Sequence, residues 1–242
     1  MRDLNQYINN FDNLPFETTQ ARYRRKSFLL NIEGLPTFKN VLEVGCGESS
    51  VFEFKEFDNC LIVEPISEFI SRLKGRINYN GIRFQNSTLE EFSTNEKFDL
   101  IVASCILHEI EDPTRFLNSI FDKLADGGYL YIDVPNARSL HRFFAVATGF
   151  LPDIYAETTT QNNMQQSTDV FDKAKLKLIL KKCGFKVNRI GGYFLKPFHH
   201  ARMQHLVDQG IFSDSDLDGL YKIAENMQDF ESEIFAICKK DD

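Results

Sequence analysis

The chain contains no tryptophan, and its five cysteines (Cys46, Cys60, Cys105, Cys183 and Cys238) include no C-x-x-C pair. An odd, scattered set argues against a zinc ribbon or a disulfide framework and leaves reduced thiols in a cytoplasmic setting as the expectation. Proline is scarce, with 7 in 242 residues beside 13 glycines, so neither a Pro-rich disordered chain nor a collagen-like repeat fits. No apolar run approaches the roughly 18–20 residues that a membrane-spanning helix needs. The opening MRDLNQYINNFDNLPF lacks the charged-then-apolar profile of a signal peptide. Positive charge is not in excess: 28 Lys plus Arg against 35 Asp plus Glu leave a net charge of −7. A surface that tracks phosphates shows as basic excess, so nucleic acid is not an expected partner. The run Arg22, Arg24, Arg25 and Lys26 is where a local basic patch could still form.

What is present reads as one α/β domain over residues 1–242. A chain of this length buries roughly 70–75% of its unfolded surface, and 23 Phe supply an aromatic core. Short, nearly continuous apolar runs at 40–44, 60–64, 82–86, 98–104 and 129–134 predict strands covered by helices on both faces. Helical patterns alternate with them, which is the signature of βαβ units. Residues 66–77 carry Ile66, Phe69, Ile70 and Leu73 on one helical face. The helix over 112–124 has Asp112 to cap it, Pro113 at its first position and Gly127-Gly128 to stop it.

The first 38 residues form a helical lead-in to this core. After Val134 the pattern changes: residues 136–170 begin amphipathic and become polar and turn-rich. That crossover is long for an α/β unit and predicts a lid or wall over a substrate. A helix at 171–182, a strand at 185–190, helices at 198–209 and 214–228 and a strand at 230–238 complete the chain.

The most informative string is Glu43-Val-Gly45-Cys46-Gly47, where a strand ends in a glycine turn. Glycines there tolerate positive φ and let the backbone approach a ligand. Nineteen residues after Gly45 the second strand ends in Glu64-Pro65, and a carboxylate at that spacing suits the two hydroxyls of a ribose. Ser50 stands where a dinucleotide fingerprint has its third glycine. Glu43 and Glu48 add negative charge beside the turn, which disfavours phosphate. A nucleoside with a positive group fits better than a dinucleotide.

The order Glu43-Val-Gly-Cys-Gly, Val63-Glu64-Pro65, Phe98-Asp99-Leu-Ile-Val and Gly127-Gly128-Tyr-Leu resembles the class I S-adenosylmethionine-dependent methyltransferases over about residues 40–135. The resemblance implies a Rossmann-like, seven-stranded, mostly parallel sheet with an antiparallel C-terminal strand. It implies S-adenosylmethionine as cofactor and S-adenosylhomocysteine as product. Gly45, Cys46 and Gly47 would line the methionine and ribose portion, with Glu43 near the amino group. Glu64 would hold the ribose, and Pro65 and Ile66 would pack beside the adenine. Thr88 and Leu89 occupy the adenine-edge position, with Thr88 in place of the family's acidic residue. Ser104 and Cys105 would face the methionine moiety.

Methyl transfer is an in-line displacement that needs an aligned, desolvated nucleophile and, for a hydroxyl, a base. His108, in the loop after the fourth strand, is the candidate base, while Glu109 and Glu111 read as a solvated face. Asn136, Arg138, His141, Tyr155, Lys196, His199 and His200 are candidate acceptor contacts. The strings Val134-Pro135-Asn136-Ala137 and Gly191-Gly-Tyr-Phe-Leu-Lys-Pro-Phe-His-His resemble methyltransferases of sugar and cell-surface polysaccharide pathways. They imply O-methylation of a small sugar-like acceptor, since the Asn/Asp-Pro-Pro-aromatic string typical of N-methylation is absent. A nicotinamide-dependent oxidoreductase and an inactive, nucleoside-binding partner protein are the competing readings; oligomeric state is not legible.

Overall fold

The computed structural model describes residues 4–77, 81–157 and 169–240. The apolar runs become strands β1 (Asn40–Val44), β2 (Asn59–Val63), β3 (Ile82–Gln85), β4 (Phe98–Ser104), β5 (Leu124–Pro135), β6 (Phe185–Tyr193) and β7 (Glu233–Lys240). They form a seven-stranded sheet in the order β3-β2-β1-β4-β5-β7-β6. Strand β7 runs antiparallel to both its neighbours, whereas the pairings among β1 to β5 are parallel. Its first residue, Glu233, therefore sits at the rim where the other strands end.

Side chains alternate between the faces with period two. Leu42, Val44, Leu61, Val63, Ile101 and Ala103 belong to one core, and Val41, Cys60, Ile62, Leu100 and Val102 to the other. Helices α4 (Pro113–Lys123) and α6 (Lys173–Lys182) cover the first face through Phe116, Leu117, Ile120, Leu176 and Leu180. Helices α2 (Glu17–Ile32), α3 (Ser67–Lys74), α7 (His200–Asp208) and α8 (Asp214–Ile223) cover the second. Helix α1 (Leu4–Phe11) precedes them, and α5 (Leu140–Ala147) follows β5.

The structure moves some expected boundaries. Strand β5 begins at Leu124 rather than Tyr129, and its register against β4 shifts between Phe98 and Leu100. Gly127 (φ +73°) and Gly128 lie in this irregular stretch, where a Cβ on Gly128 would sit 2.9 Å from the carbonyl oxygens of Ala125 and Phe98. The glycine pair thus shapes a bulge inside β5 rather than stopping the helix, which already ends at Lys123. The basic run also departs from expectation. Arg24 and Arg25 turn inward and are 5% and 4% exposed, leaving Arg22 and Lys26 outside to pair with Asp214 and Asp218. Among the described residues no helix is long and apolar enough to cross a membrane.

Candidate active site

Open α/β sheets bind ligands at the carboxyl ends of their strands, because loops there can diverge from the sheet and leave a crevice. A cavity of ≈ 840 Å³ lies at that edge. One end of it is built by β1 and β2. Val44 and Val63 are register partners, and the Gly45 N–H donates to the Val63 carbonyl at 2.9 Å. Gly45 then takes φ +70° and Gly47 φ +53°, so the chain turns under the cavity with no side chain in the way. A Cβ on Gly45 would lie 2.5 Å from Cδ1 of Ile106.

Glu64 closes this cradle and is 3% exposed. Its Oε2 accepts from the Gly47 N–H at 3.2 Å and its Oε1 from the Ile66 N–H at 2.9 Å. Asn86, from the end of β3, donates to the carbonyls of Glu64 and Pro65 and fixes that loop. Burial pushes the Glu64 carboxyl up to about 7, against the pull of these amides. A buried carboxylate whose oxygens each have a lone pair beyond the one given to these amides, above a glycine turn that admits close backbone approach, fits the two hydroxyls of a ribose. Cys46, Pro65, Ile66 and Phe69 line the same end, and Tyr7 and Phe11 from α1 also line the cavity.

Three expected contacts do not reach the cavity. Glu43 is completely buried, takes hydrogen bonds from the Ser50 hydroxyl and the Val51 N–H (3.1 Å), and lies 3.8 Å from Arg25. Its carboxylate braces the glycine turn rather than meeting an amino group. Thr88 is exposed and accepts from the Glu91 N–H at 3.3 Å. Leu89, 2% exposed, packs into the core with Leu61 and Val63. Nor do Glu43 and Glu48 repel phosphate as expected, because Glu43 faces Arg25 and Glu48 is held by Arg72, which also grips Asp12 and Glu68.

The middle of the cavity carries Ser104, Cys105 and His108. Ser104 Oγ donates to Asp133 at 2.9 Å, and the Cys105 N–H to the same carboxylate at 2.7 Å. Cys105 has φ +55°, a left-handed conformation held by that bond. Burial raises its thiol well above the ordinary range, so it is a neutral wall and not a nucleophile. His108 is 2% exposed on a short 3-10 turn, Leu107–Glu109, with Nε2 3.7 Å from Oε1 of Glu109. Glu109 is not on a solvated face as expected: it is 6% exposed and accepts from the Tyr7 hydroxyl at 3.2 Å. Glu111 does stay exposed.

The far end gathers residues from β5, α5, α2, the segment after β6 and β7. Asn136 lines it, but its amide donates to the carbonyls of Asp229 and Glu231 and accepts from the Arg138 N–H, so it holds the chain turn together. His141, Lys196, His199 and His200 also line the cavity. Tyr155 does not: it is 47% exposed and its hydroxyl donates to Asp172 at 2.8 Å, tying the crossover to the start of α6. The expected lid over 136–170 falls outside the described residues at 158–168. Its described part supplies Phe144 and Phe150, 42% and 84% exposed, to the cavity wall.

Sequence reasoning missed the buried ion cluster beneath this end. Arg24 binds Glu233 through Nε (3.0 Å) and Nη2 (2.6 Å) and Glu17 through Nη1 (3.0 Å). The Tyr193 hydroxyl also donates to Glu233. Burial alone would raise the Glu233 carboxyl; Arg24 overrides it and holds it below the ordinary range. The signal was faint, since the partners lie 209 residues apart.

A family model described as a methyltransferase domain matches residues 17–190. Nodulation protein S of Rhizobium tropici is 31% identical over 126 residues, which cover 49% of this chain and 51% of that protein. The chain spans 64% of the length of the nodulation protein S of Azorhizobium caulinodans. Among solved structures, the N-methyltransferase NodS from Bradyrhizobium japonicum WM9, in complex with S-adenosylhomocysteine, superposes with TM-score 0.58 at 17% identity, covering 96% of this chain and 90% of that one. A methyltransferase from Thermotoga maritima, described as a possible histamine N-methyltransferase, gives TM-score 0.62 at 16% identity, with 90% of each chain covered. At such identities these two show the fold.

Proposed function

Since this chain belongs to the methyltransferase domain family, we propose that it uses S-adenosylmethionine to methylate a hydroxyl of a small, sugar-like acceptor. The observation that carries this reading is a single cavity with a nucleoside-type cradle at one end, a buried histidine–glutamate pair in the middle and an open wall at the other. When bound, the sulfonium supplies an electrophilic methyl group. The protein's own residues do the rest. Glu64 and the Gly45–Gly47 backbone hold the nucleoside, with Pro65 and Ile66 beside the base. Ser104 and Cys105, fixed by Asp133, set the wall where the methyl group is presented. His108 takes the acceptor proton at an imidazole nitrogen, Glu109 stabilises the resulting imidazolium, and Tyr7 orients Glu109. An amine acceptor is the second reading, favoured by the likeness to the nodulation proteins and to an N-methyltransferase. Incubated with S-adenosylmethionine labelled in its methyl group, glucose can take the label only on oxygen and glucosamine on oxygen or nitrogen, and fragment ions of the labelled product distinguish the two readings. No labelled product from either, with a broad sugar panel also inert, overturns the sugar assignment.

His108→Ala is expected to lower kcat by about 10²–10⁴-fold near neutral pH with little change in S-adenosylhomocysteine affinity. A pH–rate profile that keeps its shape in this variant excludes the base role, as does full activity in His108→Asn. Phe144 and Phe150 form the described, exposed part of the predicted wall. Changing both to Ala should raise the acceptor KM severalfold and leave cofactor affinity alone; equal acceptor kinetics would show that the wall is passive.

A further inference from the structure

The buried cations around the far end of the cavity differ in one respect. Arg24 contacts both Glu233 and Glu17, Arg25 faces Glu43, and Arg142 donates to the carbonyls of Ile154 and Ala156. Lys196 is 4% exposed and lines the cavity, yet among the described residues no carboxylate lies within ion-pair distance of its ammonium. The acids that act on it at longer range, Glu233 and Glu17, are already gripped by Arg24. Their excess negative charge reaches Lys196 only at a distance, a desolvated ammonium with no acceptor in contact is costly, and here the cavity is the direction from which one can arrive.

A second observation comes from a different element. His141, on α5, lines the same cavity, and its Nδ1 is buried with no hydrogen-bond partner. Burial, then the Lys196 charge, lowers its proton affinity well below the ordinary histidine range, and the same pair of causes acts on His200. His141 is therefore a neutral ring with an unused buried nitrogen in the field of an unpaired cation. Burial brings Lys196 itself down to about 8, which leaves it charged at neutral pH.

We propose that the acceptor carries an oxyanionic group, a carboxylate or a phosphate, that seats against the Lys196 ammonium and takes a hydrogen bond from the His141 ring. This rests on the methyl-transfer reading and adds the acceptor's chemical class to it. The oxyanion anchors the acceptor, so that a second group reaches His108 and the methyl donor. A charge-assisted bond made in a dry pocket discriminates strongly against neutral analogues, which would leave Lys196 unpaired.

The test titrates inorganic phosphate and acetate, against chloride at constant ionic strength, into the wild-type chain with and without S-adenosylhomocysteine. The variants are Lys196→Met, which keeps the bulk, and Lys196→Arg, which keeps the charge. Calorimetry should show one of the two anions binding to the wild type, about tenfold or more weaker binding in Lys196→Met, and substantial recovery in Lys196→Arg. Whichever of phosphate and acetate binds tighter identifies the group. Equal binding in Lys196→Met, or no anion binding to the wild type, overturns the proposal. So does an equal loss of S-adenosylhomocysteine affinity in Lys196→Met, which would make the cofactor's own carboxylate the counter-ion. Lys196-dependent anion binding in a protein that does not bind S-adenosylhomocysteine would instead overturn the methyl-transfer reading and leave the oxyanion site standing.

Discussion

Glu64→Ala should weaken S-adenosylhomocysteine binding by about a hundredfold or more. Hydrogen bonds to a charged group contribute roughly 1.5–3 kcal/mol each, and two ribose hydroxyls facing one buried carboxylate place the loss above about 2.7 kcal/mol, or two decades. Glu64→Gln keeps the shape and should lose less. The pH dependence follows from the carboxyl's value of about 7. Raised above its unfolded value, this group stabilises the ligand-free fold when protonated, and that contribution is lost as pH rises toward and through 7. Ribose hydroxyls favour the ionised form, so wild-type affinity should fall as pH drops below about 7, with a proton released on binding. Glu64→Gln should show neither effect. Gly45→Val adds the steric version of the test: a side chain at φ +70° and a Cβ 2.5 Å from Ile106 should strain the turn and abolish binding. Calorimetric affinities equal to wild type for both Glu64→Ala and Gly45→Val would remove the cofactor assignment.

The cofactor end was legible in advance because its signals are local. A strand of continuous apolar residues, a positive-φ glycine turn and an acid nineteen residues later are all short-range patterns, and the sheet order follows from alternation of strands and helices. The rest depends on pairings across the chain. Glu43 looked like a ligand contact because it precedes the glycines, but its carboxylate is needed by Ser50, Val51 and Arg25. Glu109 looked solvated because nothing near it in sequence explains its burial; its partner is Tyr7 on the first helix. Thr88 and Leu89 match the adenine-edge position only by order in a family pattern; in the fold Thr88 faces solvent and Leu89 is drawn into the core by its own hydrophobicity. Arg24 and Arg25 sit in a run that reads as a charged surface. Only the return of β7, which brings Glu233 to Arg24, and the inward turn of Glu43 on β1 toward Arg25 show why α2 can bury them.

That burial sets the largest stability effect expected outside the cofactor site. Arg24→Met would leave Glu233, 4% exposed, with the Tyr193 hydroxyl but no cation in contact. Asp133, whose own carboxyl is pushed up by burial and by Glu233, lies near enough to make a second unpaired charge worse. Breaking one side of a buried pair costs about 3–5 kcal/mol, far more than the pair contributes relative to an apolar replacement of both. At roughly 2–4 °C per kcal/mol for a domain of about this size, Tm should fall by about 6–20 °C. Pairing it with Glu233→Gln should recover part of that loss, since the more deeply buried of the two stranded carboxylates loses its charge while Glu17, 13% exposed, keeps its own, and a double-mutant cycle reads the coupling directly. The acid limb gives an independent check. Arg24 holds the Glu233 carboxyl below its unfolded value, so this stabilisation is present above the ordinary carboxylate range and is lost as pH falls through the folded-state value. Wild type and Arg24→Met should therefore converge in stability at strongly acidic pH and diverge near neutrality. A Tm loss of a degree or two at pH 7, unchanged by Glu233→Gln, would mean that the cluster is solvated in solution and that α2 is held by its buried Tyr23, Phe28 and Ile32.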